Sequence, residues 1–239
     1  MSLEAANLTV TAQAGMRLGD LQAALAEVGQ WWPVLPPGGA EATLGGIVAT
    51  GVSGPYAARY GRVQDLITGV QLALPSGERL KFGIPCVKNV AGLALERLVV
   101  GSRGTLCALL EVTLRTLPLP ERTRSMVVTG APSERDALRA RLLAYGTRPA
   151  AVEAEGESLL VAVQGLEAEV AALEQKLADL ASELGVTLAE APEPEAEIWS
   201  RIATRSFEKV APAPPESEVL AQRLKELFDP RGILPSLTF

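Results

Sequence analysis

Glycine, proline, serine and threonine residues are concentrated between Leu35 and Gly61, a stretch called here the first glycine segment. It contains the sequences PPGG, TLGG and SGP, with small apolar residues between them. Glycine repeated beside Thr and Ser lets a backbone approach a ligand closely and donate N–H groups, because no Cβ intervenes. The pattern indicates a cradle for a ligand. A buried bend between strands, in which the glycines serve packing only, stays open as the alternative.

A second sequence of the same chemistry, GSRGT at residues 101–105, stands directly before a strand predicted for Leu106 to Leu117. It is called here the second glycine segment. Loops at the ends of neighbouring strands can meet at one edge of a sheet. The two glycine segments therefore predict a single site to which both contribute.

The chain contains no histidine, and its two cysteines, Cys86 and Cys107, do not have Cys-x-x-Cys spacing. These facts exclude a Ser-His-Asp triad, a histidine base and the usual soft-ligand zinc or iron–sulfur sites built from this chain alone. Redox chemistry would need a bound cofactor or a partner. Lys88 and Glu111 are candidates for a base, but a solvated lysine and an outward-facing strand glutamate are the favoured interpretations, so no catalytic residue is assigned.

Several regular elements must position the two segments. Alternating apolar residues predict a strand over Asn7 to Gln13, and apolar residues on one helical face predict a helix from Leu18 that ends at Gly29. Apolar, β-branched residues from Asp65 to Leu74, a Pro-Ser-Gly turn and a return over Arg79 to Phe82 predict a β-hairpin.

The character of the chain changes at LPLPER, residues 117–122. The pattern that follows predicts the order β-α-β-β-α-β, which is typical of a ferredoxin-like unit. An acidic, proline-rich connector and two helices close the chain. The sequence thus predicts an α+β protein with a lobe at residues 1–119, a ferredoxin-like domain at 120–191, and C-terminal helices at 192–239 that pack back on the lobe.

The composition and charge of the chain argue against several classes of function. The 239 residues carry a net charge of −6 without a Lys/Arg cluster, which argues against a nucleic-acid surface or a polybasic membrane patch. The N-terminal sequence MSLEAANLTV lacks a signal-peptide pattern, and no apolar run is long enough to span a membrane. A cytoplasmic location is the expectation.

Three separated motifs in order carry a resemblance to a known family. The series PPG, ATLGG, SGP, YG and D, then VKNVAG, then GSRGTL with the strand LLEVTL, resembles the FAD-binding domain of the vanillyl-alcohol-oxidase/PCMH flavoprotein superfamily. Within it, the sequence resembles the glycolate oxidase E subunits. The resemblance covers residues 7–120 and, weakly, the closing FDPRGIL. It implies a PCMH-type FAD-binding lobe followed by a cap domain, here a small ferredoxin-like one.

The resemblance also implies which residues contact FAD. The expected flavin and phosphate contacts are Pro37, Thr43, Gly45 and Gly46, and the expected continuation of the cofactor wall is Ser53, Gly54, Tyr60 and Gly61. Near the isoalloxazine or its mouth we expect Lys88 and Asn89, and at the ribityl and adenosine end Gly101, Gly104, Thr105 and Leu106. A diphosphate buried without histidine or a P-loop lysine must be held by backbone N–H and hydroxyl donors.

The sequence departs from the family pattern in several places. Family members carry another glycine-rich phosphate loop upstream, so the lobe is expected to be incomplete at its N-terminus. The customary Tyr-Asp after the VKNVAG motif is Leu93-Ala94, and the closing Asn-Pro-Gly is replaced by residues 235–237, PSL. Arg103 and Cys107 stand where full oxidases tend to have Glu and Gly. These departures leave the fold expected and make independent catalysis doubtful.

Two functions follow from the resemblance. The first is an FAD-binding subunit of a glycolate (2-hydroxy acid) oxidase or dehydrogenase complex, acting on CH–OH donors and passing electrons to a second flavoprotein subunit and an iron–sulfur subunit. The alternative is a degenerate, flavoprotein-like structural subunit that binds FAD weakly or not at all. A peptidoglycan-precursor reductase of the same fold is disfavoured, because its catalytic Ser and Glu context cannot be located.

Overall fold

A computed structural model gives the fold, and it describes residues 1–83, 95–144, 148–193, 195–208 and 215–236. Two antiparallel sheets, one of five strands and one of four, carry the architecture, and a short two-stranded pairing lies beside them. The protein is a mixed α+β structure, as the sequence predicts.

The N-terminal lobe holds the five-stranded sheet. The lobe has seven described strands, five in this sheet and two in the separate pair. In chain order they are β1 (Ser2–Glu4), β2 (Thr9–Gln13), β3 (Gln30–Trp31), β4 (Ile67–Ala73), β5 (Arg79–Gly83), β6 (Ala108–Arg115) and β7 (Leu117–Pro118). Its helices are α1 (Leu18–Ala26), α2 (Leu44–Thr50), α3 (Ala57–Tyr60) and α4 (Val63–Leu66), with 3-10 turns at Ala5–Asn7, Gly39–Glu41 and Leu95–Val99. The sheet order is β1-β2-β6-β4-β5, and β3 pairs with β7 apart from it.

The predicted strand, helix and hairpin of the lobe are confirmed. The hairpin pairs β4 with β5 in the register Gly69 to Gly83 and Ala73 to Arg79. Helix α2, inside the first glycine segment, is an addition that the sequence did not predict. It begins at Thr43, whose side chain accepts a hydrogen bond from the Gly46 N–H, which is the geometry of an N-cap.

Apolar side chains from helices and strands form the core of the lobe. Strand β2 buries Val10 and Ala12, as its alternation predicts. Fully buried side chains from the other elements include Leu21, Leu25, Trp32, Leu44, Val48, Leu66, Leu72, Val112 and Leu114. Because α2 contributes both Leu44 and Val48, burial holds this glycine-containing helix in place.

The second sheet belongs to a ferredoxin-like unit. Its elements are β8 (Arg122–Thr129), α5 (Pro132–Ala144), β9 (Ala151–Glu155), β10 (Ser158–Gly165), α6 (Glu167–Leu184) and β11 (Thr187–Glu190). The sheet order β11-β8-β10-β9, antiparallel throughout, is the one expected for the β-α-β-β-α-β order. The predicted domain limits at residues 119 and 191 stay a prediction.

Both faces of the second sheet are covered. Helices α5 and α6 bury one face with Leu142 and Leu177, among others. The opposite face packs against helix α7 (Glu195–Glu208) through Ile198 and Trp199. The indole N–H of Trp199 donates to the Ser125 hydroxyl at 2.8 Å. Since strand β10 lies in the middle of this sandwich, its central residues are buried throughout.

The last helix, α8 (Pro215–Phe228), returns to the lobe at its C-terminal end. The Lys225 ammonium donates to the Thr105 carbonyl at 2.9 Å and to the Leu234 carbonyl at 3.1 Å, and it pairs with Asp229 at 2.5 Å. The Asp229 carboxylate in turn accepts the backbone N–H groups of Ile233 and Leu234. These contacts fix residues 225–234 against the second glycine segment.

None of the helices in the described ranges has the length and apolarity required to cross a bilayer.

Candidate functional site

Two glycines of the first glycine segment are needed for packing. A Cβ at Gly45 would lie 2.9 Å from the Ala14 Cβ and 3.0 Å from the Ala14 carbonyl oxygen, because α2 packs against the end of β2. Gly54 has φ +72°, and a Cβ there would lie 2.0 Å from the Leu35 carbonyl oxygen. At these two positions the packing alternative accounts for the glycine.

Gly46 has different surroundings. It lies in α2, and among the described residues a Cβ at this position would meet only the Thr43 hydroxyl, at 3.0 Å. Gly46 lines a groove of about 270 Å³, called here the proline groove. The lining of the proline groove includes Pro36, Pro37, Thr43, Gly46, Ile47 and Thr50. Its walls are small and mostly apolar, and none of the described residues that line it is charged.

The backbone donors that open α2 are used inside the protein. They are the N–H groups of Leu44 to the Met16 carbonyl (2.9 Å), Gly45 to the Ala14 carbonyl (2.7 Å) and Gly46 to the Thr43 hydroxyl (3.2 Å). An anion at this helix end would have to displace one of these bonds. The Thr43 hydroxyl accepts in its bond and so keeps its own proton to donate into the groove.

The two glycine segments lie in direct contact with each other, and the single ligand site predicted for them stays a prediction. The N–H of Gly101 donates to the Val48 carbonyl at 3.0 Å, and that of Arg103 donates to the Ala49 carbonyl at 2.7 Å. A Cβ at Gly51 would lie 3.3 Å from the Gly101 Cα. The second segment thus satisfies carbonyls at the C-terminal end of α2, and two of its donors are engaged in doing so.

Two of the four predicted residues in and after the second glycine segment are open, and two are buried. Gly101 and Gly104 have φ of +80° and +75°, and no atom of the described residues lies within 4 Å of a Cβ built on either. Thr105 and Leu106 are buried, and the Thr105 hydroxyl donates to the Ser102 carbonyl at 2.7 Å. Only the two glycines therefore present accessible backbone.

The three other predicted wall residues make local or bridging contacts. The Ser53 hydroxyl accepts the Val63 N–H at 2.9 Å. The Tyr60 hydroxyl bonds to the Gln164 side chain on β10 at 3.1 Å, and burial raises the Tyr60 pKa above its ordinary value. Gly61 has φ +93° and packs against Asp65. Tyr60 therefore ties the lobe to the ferredoxin-like unit and stays protonated at neutral pH.

Two predicted residues, Lys88 and Asn89, lie outside the described residues, as does Cys86. Cys107 is buried, and burial raises its thiol pKa to about 11. The thiol is therefore protonated at neutral pH, which agrees with a small buried apolar residue and not with a nucleophile. Glu111 on β6 faces Gln13 and Gln71 in the sheet register.

A second opening, called here the arginine cavity, was missed by the sequence analysis. It has a volume of about 420 Å³, and its lining includes Ser53, Gly54, Arg62, Arg103, Glu153 and Ala203. Thr50 and Val52 line both this cavity and the proline groove, so the two openings are neighbours. Arg62 and Glu153 come from the lobe and from β9, and no local sequence pattern connects them.

The residues present fit part of an FAD molecule. The proline groove has a close backbone approach at Gly46, apolar walls and the hydroxyls of Thr43 and Thr50. Such a lining suits a flat ring that has polar atoms on its edge. The fit to a diphosphate is poorer, since donors at both glycine segments are already bonded. Within the described part of the chain, no three acidic or cysteine side chains are grouped to hold a metal ion.

Comparisons with known proteins also concern FAD. Residues 1–83 match a family model described as an FAD binding domain. Glycolate oxidase subunit GlcE of Escherichia coli is 42% identical over 120 residues, 50% of this chain and 34% of that protein. A D-lactate dehydrogenase of Anaerostipes hadrus is 36% identical over 51% of this chain, and glycolate oxidase subunit GlcD of Bacillus subtilis is 31% identical over 53%. The alignments span 26% and 27% of these two proteins.

The fold also has a counterpart among solved structures. An alkyldihydroxyacetonephosphate synthase superposes with a TM-score of 0.71 over 87% of this chain and 44% of that one. The sequence identity is 16%, so this likeness concerns the fold alone. The chain spans about a third or less of the named sequence relatives' own length.

Proposed function

We propose, on the premise that residues 1–83 match an FAD binding domain, that this chain is an FAD-binding subunit of an oxidoreductase complex that acts on glycolate or a related 2-hydroxy acid. The observation that carries the proposal is the proline groove, which lies within the region resembling the flavoprotein family. The relatives include glycolate oxidase subunits and D-lactate dehydrogenases, which supports the choice of a CH–OH donor. FAD, when bound, would accept the hydride of that donor.

In this proposal Pro37, Thr43 and Gly46 hold the flat part of the cofactor. Their role is to supply a shaped apolar wall and one hydroxyl donor, from Thr43. Gly101 and Gly104, with open space beside their backbones, would flank the remainder of the molecule. The other residues implied by the resemblance, Lys88 and Asn89 among them, stay predictions.

Electrons would leave through partner subunits. An iron–sulfur cluster is commonly held by four cysteine thiolates, and the sequence has two cysteines, of which Cys107 is buried and protonated. We therefore propose a second flavoprotein subunit and an iron–sulfur subunit as partners.

A second candidate function rests on a specific observation. Five backbone N–H groups of the two glycine segments already donate hydrogen bonds within the protein; they belong to Leu44, Gly45, Gly46, Gly101 and Arg103. This arrangement is expected of a lobe that does not hold a diphosphate. In this alternative the chain is a structural subunit that pairs with a catalytic flavoprotein and binds FAD weakly or not at all.

Flavin content separates the two candidates. If the first is correct, the purified chain is yellow or becomes so when FAD is added and excess is removed. A colourless protein that takes up no added FAD supports the second. An anaerobic titration with glycolate and D-lactate, with and without the partner subunits, then tests for bleaching of the flavin absorbance.

Gly46→Val tests the groove itself. The backbone at Gly46 is helical, so valine adds bulk without requiring a positive φ, and its side chain would meet Thr43. We expect flavin retention to be lost while circular dichroism stays unchanged. Gly15→Val is the matched control, because no atom in the described part of the chain lies within 4 Å of a Cβ at Gly15. Unchanged retention in Gly46→Val would mean that this glycine only packs.

A further inference from the structure

We infer that a cavity between the lobe and the ferredoxin-like unit, called here the basic cavity, binds a dianionic phosphate group. The basic cavity has a volume of about 380 Å³. The polar and charged residues in its lining are Arg59, Arg148, Gln164, Glu169 and Lys176. It shares no described lining residue with the proline groove or the arginine cavity, so the inference does not rest on the proposed function.

The side chain of Gln164 is the buried polar group of the lining. Gln164 lies near the end of β10 and is 5% exposed. Its amide oxygen accepts a hydrogen bond from the Tyr60 hydroxyl at 3.1 Å, and its amide NH2 group has no hydrogen-bond partner among the described residues. Buried amide donors ordinarily have a partner. The partner that this donor lacks is an acceptor, and the basic cavity has room for one.

Two cations of the lining are uncommitted. Arg148 precedes β9, Lys176 lies on α6, and both are exposed. Neither side chain forms a hydrogen bond or an ion pair with another described residue. Lys176 follows Glu169 by seven residues, two turns of α6, so both lie on the helix face that lines the cavity. The Arg148 and Lys176 charges are therefore available to an anion.

Arg59 on α3 is held in place by contacts that use only part of its guanidinium. Its Nη1 donates to the Arg148 carbonyl at 2.6 Å, and its Cζ lies 5.3 Å from the centre of the Tyr60 ring. A guanidinium has five N–H donors, so one bond to a carbonyl leaves others for a ligand. Because Arg59 belongs to the lobe and Arg148 to the ferredoxin-like unit, an anion that contacts both would bridge the two regions.

The charges in the basic cavity select a dianion. Three cations and the Glu169 carboxylate leave a net charge of two positive units. A phosphoryl group carries about −1.5 to −2 charges at pH 7 and three strong acceptor oxygens, which suit guanidinium, ammonium and amide donors. A single carboxylate, as in acetate, would leave part of the positive charge uncompensated. The arrangement therefore favours phosphate over a monoanion.

The test is calorimetric titration of the full chain with inorganic phosphate, glycerol 3-phosphate and acetate at one fixed ionic strength. We expect a phosphate to bind more tightly than acetate, and the tighter of the two phosphates shows whether the site takes the free or the esterified form. Arg148→Gln and Lys176→Gln should each weaken phosphate binding about tenfold, because each removes a charged hydrogen-bond donor. Arg139→Gln, at an exposed position on α5 outside the cavity, is the control and should bind phosphate as the unchanged chain does.

Two further variants test the other members of the lining. Glu169→Gln should strengthen phosphate binding several-fold, because glutamine keeps an acceptor for the Leu166 N–H and removes a negative charge. Gln164→Glu keeps an acceptor for the Tyr60 hydroxyl but replaces the amide donor with a negative charge. It should abolish phosphate binding while circular dichroism stays unchanged. Phosphate binding that is unaltered in both variants would place the anion elsewhere and contradict the inference.

Binding should also stabilise the folded chain, because the anion bridges two regions. Phosphate should raise the thermal unfolding midpoint above that in acetate, and Arg148→Gln should lose this rise. The inference is overturned if phosphate binds no more tightly than acetate, or if Arg148→Gln and Lys176→Gln both bind it unchanged. Flavin content is measured on the same samples. Loss of flavin together with phosphate binding would assign the phosphate to FAD and also overturn the inference, whereas a colourless chain that binds phosphate would reject the FAD proposal alone.

Discussion

The N-terminal lobe and the ferredoxin-like unit solve the same packing problem in different ways. Each covers an antiparallel sheet with helices and buries an apolar core. In the lobe, long glycine-containing connections contact each other and line the proline groove and the arginine cavity. In the ferredoxin-like unit, glycines such as Gly156 and Gly185 stand at element ends. The candidate chemistry therefore lies where the lobe departs from regular structure.

The contact between the two regions is aromatic. Trp199 on α7 packs near Tyr56, with ring centroids 6.2 Å apart, and Tyr56 and Tyr60 both make edge contacts with Trp31. Arg59 adds a hydrogen bond to the Arg148 carbonyl at 2.6 Å. This interface therefore combines buried aromatic surface with a few hydrogen bonds, and the arginine cavity lies along it.

Trp199→Ala is expected to have the largest effect, because it removes the side chain that covers the second sheet and contacts the lobe. Loss of a fully buried tryptophan costs about 3–5 kcal/mol of unfolding free energy. Urea unfolding followed by circular dichroism measures it. Trp199→Phe keeps most of the apolar area and loses the bond to Ser125, so a smaller loss is expected. A loss below about 1 kcal/mol in Trp199→Ala would show that the two regions do not depend on this contact.

Lys225→Met tests whether the second glycine segment is held from the C-terminal end of the chain. Lys225 and Asp229 are buried, so removing one partner leaves the other charge without compensation and should lower the free energy of unfolding. Hydrogen–deuterium exchange should also rise in residues 101–105, because the bond to the Thr105 carbonyl is lost.

The double variant Lys225→Met with Asp229→Asn is the control for that measurement. It removes both charges, so part of the stability should return while the Thr105 contact stays absent. Burial acts to raise the pKa of Asp229, but the bonds from Lys225 and from the Ile233 and Leu234 N–H groups lower it overall. If exchange at residues 101–105 is unchanged in both variants, this contact does not fix the segment.

Gly54→Ala and Gly156→Ala compare the two regions at matched backbone geometry. Both glycines have positive φ, at +72° and +57°. At Gly54 a Cβ would also overlap the Leu35 carbonyl oxygen, so we expect a loss of about 2–3 kcal/mol. At Gly156 a Cβ would have no described atom within 4 Å, and the conformational cost alone, about 1 kcal/mol, remains. Thermal unfolding measures both losses of unfolding free energy. Equal losses in the two variants would contradict close packing of the lobe at Gly54.

The sequence predicted much of the fold because its signals are local. Alternation along β2, the apolar face of α1 and the Pro-Ser-Gly turn between β4 and β5 each lie within a dozen residues. The β-α-β-β-α-β order followed from the same kinds of signal, and the sheet order then followed from topology. Helix α2 was missed, because Gly45 and Gly46 lower helix propensity while burial of Leu44 and Val48 overrides it.

The candidate site was less accessible to sequence analysis, because its properties depend on contacts between distant residues. Glycine pattern alone could not tell that Gly45 packs against Ala14 while Gly46 lines a groove. Nor could it show that the Gly101 donor serves a carbonyl of α2. Arg62 and Glu153 line the same cavity, and no local sequence pattern indicates this.

The smallest predicted effect concerns an ion pair of the ferredoxin-like unit with α7. The hydrogen bond from Arg201 to Glu155, at 2.8 Å, lowers the pKa of that carboxyl, against a smaller effect of burial, and the Arg205 charge acts in the same direction as Arg201. A lowered pKa means that the stabilisation is present above the ordinary glutamate pKa and is lost as the pH falls through the folded-state pKa.

Because the Arg201 side chain is 39% exposed, the pair is worth at most about 1 kcal/mol. Glu155→Gln should therefore flatten part of the fall in unfolding free energy between about pH 5 and pH 3, since the titrating group is removed. Urea unfolding across that range measures the slope. Glu157→Gln, at an exposed position in the turn beside it, provides the reference slope. Identical slopes in the two variants would mean that acid sensitivity arises elsewhere, with Asp229 at the lobe contact as the next group to change.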